Sequence, residues 1–477
     1  MKNLQAIVVI LFIILYTWVS FSTAQSFKNL KGLNEKFEAY QKSNIQSNYQ
    51  ILADSFLTGH LYVPIEPSAE FKKLSNPYDP LQNKDFISQY GDHSYYKNKF
   101  YLYFGPVPAL IFNLPFRLFT NLKLPDRFII LFFISGTLIV STLILNLLKR
   151  KYFNQIPSWM ILLSISIIGS SDLRLYLLSK PSIYQSAIAS STFFTIGAIY
   201  LFLKIIINSR INNLMLATGG FLLGLGIGSR PTNILVALSL LLLMSFTIRR
   251  FHKHPSLSLF VNIAFLITPF FVCLLLLGLY NYLRFENFFE FGFKYQIQYT
   301  NLTKLSAFDF KNICSNFYFY FLQPPFLYSQ FPFLHLNYWT EYWRIRPIPH
   351  SIWDEESIGL IYFNSFICMT LICPLIILIN SLSRDENKGS QSLFPKYEFC
   401  IILSSALINI FQYLLFNGVQ LRYMAENLTL LIISSSILWF YINSKFSSMY
   451  RLSTNTLAIC LGTLSIISGF ILSLFKS

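Results

Sequence analysis

The chain has 477 residues and a net charge of +16. Hydrophobic residues make up 54% and charged residues only 12%, with a mean hydropathy of +0.49. A soluble globular protein carries about a quarter charged residues, so soluble domains, disorder, collagen-like repeats and a disulfide scaffold are excluded, and the bilayer is the expected solvent. The basic residues are spread along the chain and flank apolar runs. That is the pattern of membrane anchoring and not of nucleic-acid binding.

In chain order, apolar runs long enough to span a bilayer are predicted near 6–22, 127–148, 157–172, 183–207, 212–228, 231–248, 257–282, 357–381, 398–418, 421–443 and 453–475. The expected fold is therefore an all-α polytopic membrane protein of about eleven spans. The first run ends Ser22-Thr23-Ala24, which also reads as a signal-peptide cleavage site. With the amino terminus inside, the cytoplasmic connections carry Lys149-Arg150-Lys151, Lys204, Arg210, Arg249, Arg250, Lys253, Arg384, Lys388, Lys396, Lys445 and Arg451. The only acids on that side are Asp385, Glu386 and Glu398. This parity requires the proline-broken stretch 101–120 to be an interfacial or re-entrant helix on the outer face. The six cysteines form no CxxC pair and read as small core residues.

Two long outer segments, 25–100 and 283–356, hold most of the acids, so acid–base chemistry is expected there. In the first, Asn76-Pro-Tyr-Asp79-Pro80 is either a proline-framed turn capped by its aspartate or a carboxylate held at the membrane surface. Asp54 and Asp92 are further candidates for a general base, beside a tyrosine-rich run that includes Tyr103. His60 and Asp92-His93 also invite a metal, and Asp79 or Asp92 a hard divalent cation, although two histidines without metal spacing favour surface or hydrogen-bonded roles. Gly220, Gly224 and Gly228 at four-residue spacing read as a helix-packing face and not a phosphate loop. Arg230 at the end of that run either snorkels or binds an anion. Arg117, Arg174, Lys180, Arg284 and Arg422 are the other outer cations. Arg422 is read either as the partner of Glu426 one turn on or, with Tyr423, as an anchor for a lipid phosphate.

This layout resembles the GT-C superfamily of polytopic glycosyltransferases, nearest to the protein O-mannosyltransferase and aminoarabinose-transferase group. The matching features are Tyr49…Ala53…Gly59, the 101–120 segment, Ser229-Arg230-Pro231 and Arg422-Tyr423. Asn76–Pro80, Tyr101–Pro108 and Asn281–Phe285 resemble a bacterial branch of it. The resemblance implies a polyprenyl-phosphate-linked sugar as donor, an envelope glycan, lipid or protein as acceptor, no resident cofactor, and a site facing outward from the bacterial inner membrane. It implies Asp92, Asp79 or Asp54 as base, and Arg230, Arg422, Tyr423, Arg117, Arg284 and Tyr103 as substrate-binding groups. That group also carries an acid shortly before the position of Tyr49, and Gln41–Asn48 has none. Either one of the three aspartates takes its role or the chain is not a transferase. A lipid or sugar transporter and a non-catalytic envelope-assembly protein are the competing readings.

Overall fold

The structure is a computed structural model that describes residues 2–22, 47–252, 256–299, 301–304, 308–329, 333–335, 357–382 and 394–474. The cleavage-like Ala24, the Gln41–Gln46 stretch, Lys253, Arg384, Lys388 and the acids Glu35, Glu38, Glu341, Asp354–Glu356, Asp385 and Glu386 lie outside these. The protein is an all-α polytopic membrane protein. Among the described residues, nine helices are long and apolar enough to cross a membrane.

The bundle is built from α1 (Lys2–Ser22), α4 (Asp126–Tyr152), α5 (Ser158–Ser171) with its continuation α6 (Arg174–Ser179), α7 (Ile183–Asn208), α8 (Asn213–Ser229), α9 (Ile234–Phe251) and α10 (Leu257–Phe285). It is completed by α11 (Met369–Leu382), α12 (Lys396–Leu415), α13 (Ala425–Lys445) and α14 (Ser448–Leu474). Two of the eleven expected spans differ. The 212–228 run is the 17-residue α8. The 357–381 run is broken at Asn364, whose side-chain amide donates to Ser171 O at 3.0 Å and to Ser171 Oγ at 2.9 Å.

Helix α13 is the axis of the bundle. It packs against α5, α7, α11, α12 and α14 and is almost wholly buried. Its serines and threonines reach neighbouring helices, as in the Ser436 Oγ to Ser164 Oγ bond of 3.0 Å. Helix α8 is wedged between α7 and α10. A Cβ at Gly220 would lie 2.0 Å from Leu266 O, one at Gly224 2.5 Å from Cys273 Cβ, and one at Gly219 2.3 Å from Phe202. Gly220 and Gly224 therefore do the helix packing that their spacing suggests, whereas Gly228 meets Val107 of the loop segment instead. The cysteines are free. Cys373 is buried, but Cys314, Cys400 and Cys460 are exposed, so the core reading fails for those three. For Cys400 and Cys460, which lie on spanning helices, a lipid-facing surface is as apolar as the core and accepts a thiol equally well.

The long loops gather at one end of the bundle. Residues 47–125 form α2 (Asn48–Leu57), short helical turns, a hairpin of β1 (His93–Tyr96) and β2 (Lys99–Leu102), and α3 (Leu114–Thr120) after a π-helical turn at Ala109–Asn113. They enclose a small aromatic core of Phe71, Tyr90, Tyr95 and Phe100, joined by Ile297 from the second loop. The 101–120 stretch is thus part strand and part short helix. Leu118 and Phe119 on that helix are exposed apolar residues. A Cβ at Gly105 would lie 2.0 Å from Gly228 O, so the turn after β2 sits directly on the end of α8. The opposite end carries Lys149-Arg150-Lys151, Arg249 and Arg250, with Arg250 4.5 Å from the Tyr397 ring.

Candidate functional site

The ends of α7, α8 and α13 meet the β-hairpin at the loop-bearing end, and a charged, tyrosine-lined cluster lies between them. Asp92 precedes β1 in the left-handed region, with φ of 63°. Short polar residues adopt that conformation more readily than most. It directs the carboxylate toward the bundle, where Gln298 Nε2 and the Tyr184 hydroxyl both donate to it. Tyr184 stands in the first turn of α7, which is capped by Ser182. The Arg422 guanidinium lies 4.0 Å from the Tyr184 ring.

Arg230 stands beside this group. Its guanidinium is 4.8 Å from the Tyr423 ring and 5.6 Å from the Tyr413 ring, and Nε is 3.4 Å from Glu426 Oε1. Tyr413 and Tyr423 stack at 5.1 Å, and the Tyr413 hydroxyl donates to Glu426 Oε2. The Arg422–Glu426 pair read from sequence is therefore not formed. Arg422 instead faces Tyr184, because the 3₁₀ turn Leu421–Met424 rotates it away from the carboxylate. Tyr103 shares the electrostatic surroundings of Tyr184, Asp92, Tyr423 and Arg422. Burial, reinforced by Tyr184 and Asp92, holds its hydroxyl well above the usual tyrosine range, so it stays a neutral donor.

Five residues singled out from sequence thus converge: Asp92, Tyr103, Arg230, Arg422 and Tyr423. The other four lie elsewhere. Asp79 caps a helical turn, accepting from Leu81 N at 3.1 Å and Gln82 Nε2 at 3.3 Å, which is the proline-framed turn and not an exposed base. Asp54 and Arg117 pair with each other at 3.2 Å. Arg284 is buried and clamps the hairpin, donating to Leu102 O and, at 2.7 Å, to Asn281 Oδ1. Arg174 is no outer-face cation. It forms a buried 2.8 Å ion pair with Asp172 where α5 breaks into α6. His60 stacks on Tyr62, and the His93 ring is buried with Nδ1 donating to Gly91 O at 3.0 Å. Among the described residues, no three His, Cys, Asp or Glu side chains group as a metal site.

Comparison with protein-family models, curated proteins and solved structures returns no match. Function must come from the geometry.

Sequence reading passed over Tyr184, Tyr413 and Asp126. The buried Tyr49 hydroxyl has no hydrogen-bond partner and lies in the field of Asp126, Tyr280 and Arg230. Asp126 opens α4, faced by Ser47 and Ser186, and its Oδ1 is shielded from solvent without a partner. An acid at the first turn of an apolar run reads as an ordinary helix-end charge, so nothing local singles it out. Chemically, the cluster brings together a carboxylate, two guanidinium groups of the kind that pair with anions, and tyrosine rings whose faces and hydroxyls suit a polyhydroxylated ligand.

Proposed function

We propose that this chain is an integral membrane glycosyltransferase that moves a sugar from a polyprenyl-phosphate donor to an envelope acceptor on the extracytoplasmic face of the bacterial inner membrane. The observation that carries the reading is the convergence of Asp92 with Arg422 and Arg230 where the span ends meet the hairpin. The basic opposite end supports an outward orientation for this site.

In the proposed reaction the acceptor hydroxyl gives its proton to the Asp92 carboxylate as its oxygen bonds to the anomeric carbon. The bond from that carbon to the phosphate oxygen breaks, and the polyprenyl phosphate leaves with the electron pair, its charge held by Arg422 and Arg230. The configuration at the anomeric carbon inverts. Tyr184 orients Asp92, and Glu426 with Tyr413 fixes the Arg230 fork.

A mass profile of envelope glycolipids and glycoproteins tests this in a deletion strain complemented with wild type or Asp92→Asn. The expected result is a product short by one sugar mass in the deletion, restored by wild type. Asp92→Asn at normal protein level should cut transfer by about 10²–10⁴-fold, the range of a lost general base. Full restoration by Asp92→Asn would remove Asp92 from the chemistry, and an unchanged deletion profile would remove the transferase reading.

The Asp172–Arg174 pair favours a second reading. Charges inside a span at a helix break are a feature of transporters, and the complemented strains discriminate, since loss of the product in Asp172→Asn but not in Asp92→Asn would favour transport.

A further inference from the structure

At the basic end of the bundle, a depression of about 560 Å3 opens between the α7–α8 turn and the facing ends of α9 and α10, lined by Arg210, Asn212, Asn213, Phe251, His252 and Asn262. Among the described residues, its lining contains no carboxylate. Arg210 is exposed and supplies a full positive charge. His252 Nδ1 donates to Ile248 O at 3.0 Å, and Asn262, buried behind it, lies 3.4 Å from His252 Nε2. Asn213 Oδ1 is out of solvent with no hydrogen-bond partner. The cup thus presents a cation and amides at the ends of spanning helices, the depth at which head groups lie. The helices beside it carry a wall of exposed apolar side chains, with Leu214 75%, Phe246 69% and Phe260 64% exposed. A polar cup level with an apolar wall matches an amphiphile, whereas a soluble anion would use only the cup.

We propose that this cup binds the phosphate head group of an anionic phospholipid, with the acyl chains lying on Leu214, Phe246 and Phe260. The site is at the opposite end from the Asp92 cluster and does not depend on the chain's being a transferase. A basic side chain near the bilayer surface adds about 1 kcal/mol to anionic-lipid binding, roughly fivefold in affinity.

The test is native mass spectrometry of the purified full chain titrated with dioleoylphosphatidylglycerol or dioleoylphosphatidylcholine, with glycerol 1-phosphate as soluble competitor. The expected outcome is preferential retention of phosphatidylglycerol that falls about fivefold in Arg210→Gln, recovers in Arg210→Lys and is unchanged in Arg451→Gln, a basic change elsewhere on the same end. An unchanged thermal midpoint shows that each variant is folded. Equal retention of the two lipids, or no loss in Arg210→Gln, would overturn the proposal. Displacement by glycerol 1-phosphate at concentrations matching the lipid would overturn the lipid as source and leave a soluble phosphate site.

Discussion

Asp92 and His93 are neighbours in sequence with opposite surroundings. The aspartate turns toward the bundle through a left-handed backbone, and the histidine turns into the aromatic core of the hairpin lobe. Burial pushes the His93 imidazole below its ordinary value of 6.5, against the pull of its bond to Gly91 O and of the Asp92 charge. The folded state therefore binds this proton less readily than the unfolded chain. The stability from His93 is complete above pH 6.5 and declines as the pH falls through that value toward the lower folded pKa. Hydrogen exchange of the hairpin amides should quicken on acidification from about pH 7.5 to about pH 5, and His93→Gln should flatten that dependence. A hairpin whose exchange, corrected for intrinsic rates, ignores pH would remove His93 as the cause. Residue roles at this scale were only half legible in the sequence. Asp79 and Asp92 look alike as loop acids, and only the fold shows that one caps a turn while the other meets Tyr184. Arg422 and Glu426 have the spacing of a helical pair, but the pairing depended on a 3₁₀ turn that spacing does not reveal.

At the scale of elements, the glycines of α8 set the distance between α7 and α10. Gly220 faces a backbone carbonyl, so a side chain there has no flexible neighbour to displace. Gly220→Val should therefore force α8 and α10 apart and cost about 1–3 kcal/mol, the range of an overpacked contact. Gly197→Ala, where the added carbon meets only a leucine methyl at 3.2 Å, should cost much less. Thermal midpoints of the two purified variants check the contrast, and equal midpoints would refute it. This stripe was readable because its signal is local and periodic. The break at Asn364 was not, because it is held by Ser171 almost two hundred positions earlier, and an apolar run carries no mark of such a partner.

For the whole molecule, the loop lobe sits on the bundle through a few points, and Arg284 is a buried one. It ties Leu102 of the hairpin to α10, with its guanidinium 3.9 Å from the Tyr280 ring and 4.7 Å from that of Phe285. Arg284→Ala should raise hydrogen exchange of the hairpin by about tenfold or more, given the roughly 1.5–3 kcal/mol of a charged hydrogen bond, while the amides of α13 stay protected. Uniform loss of protection would mean that lobe and bundle unfold together. The enclosure of α13 also bears on biogenesis. Thr429 on this late helix donates to Asp172 and accepts from Arg174 at 3.2 Å, completing a network begun more than two hundred and fifty positions upstream. A growing chain therefore inserts an ion pair into lipid long before its third member is synthesised. Until Thr429 leaves the ribosome, the nascent bundle holds an open polar slot that the insertion machinery must shelter, so stop codons before α13 should yield fragments cleared by membrane proteases and not partial proteins that persist.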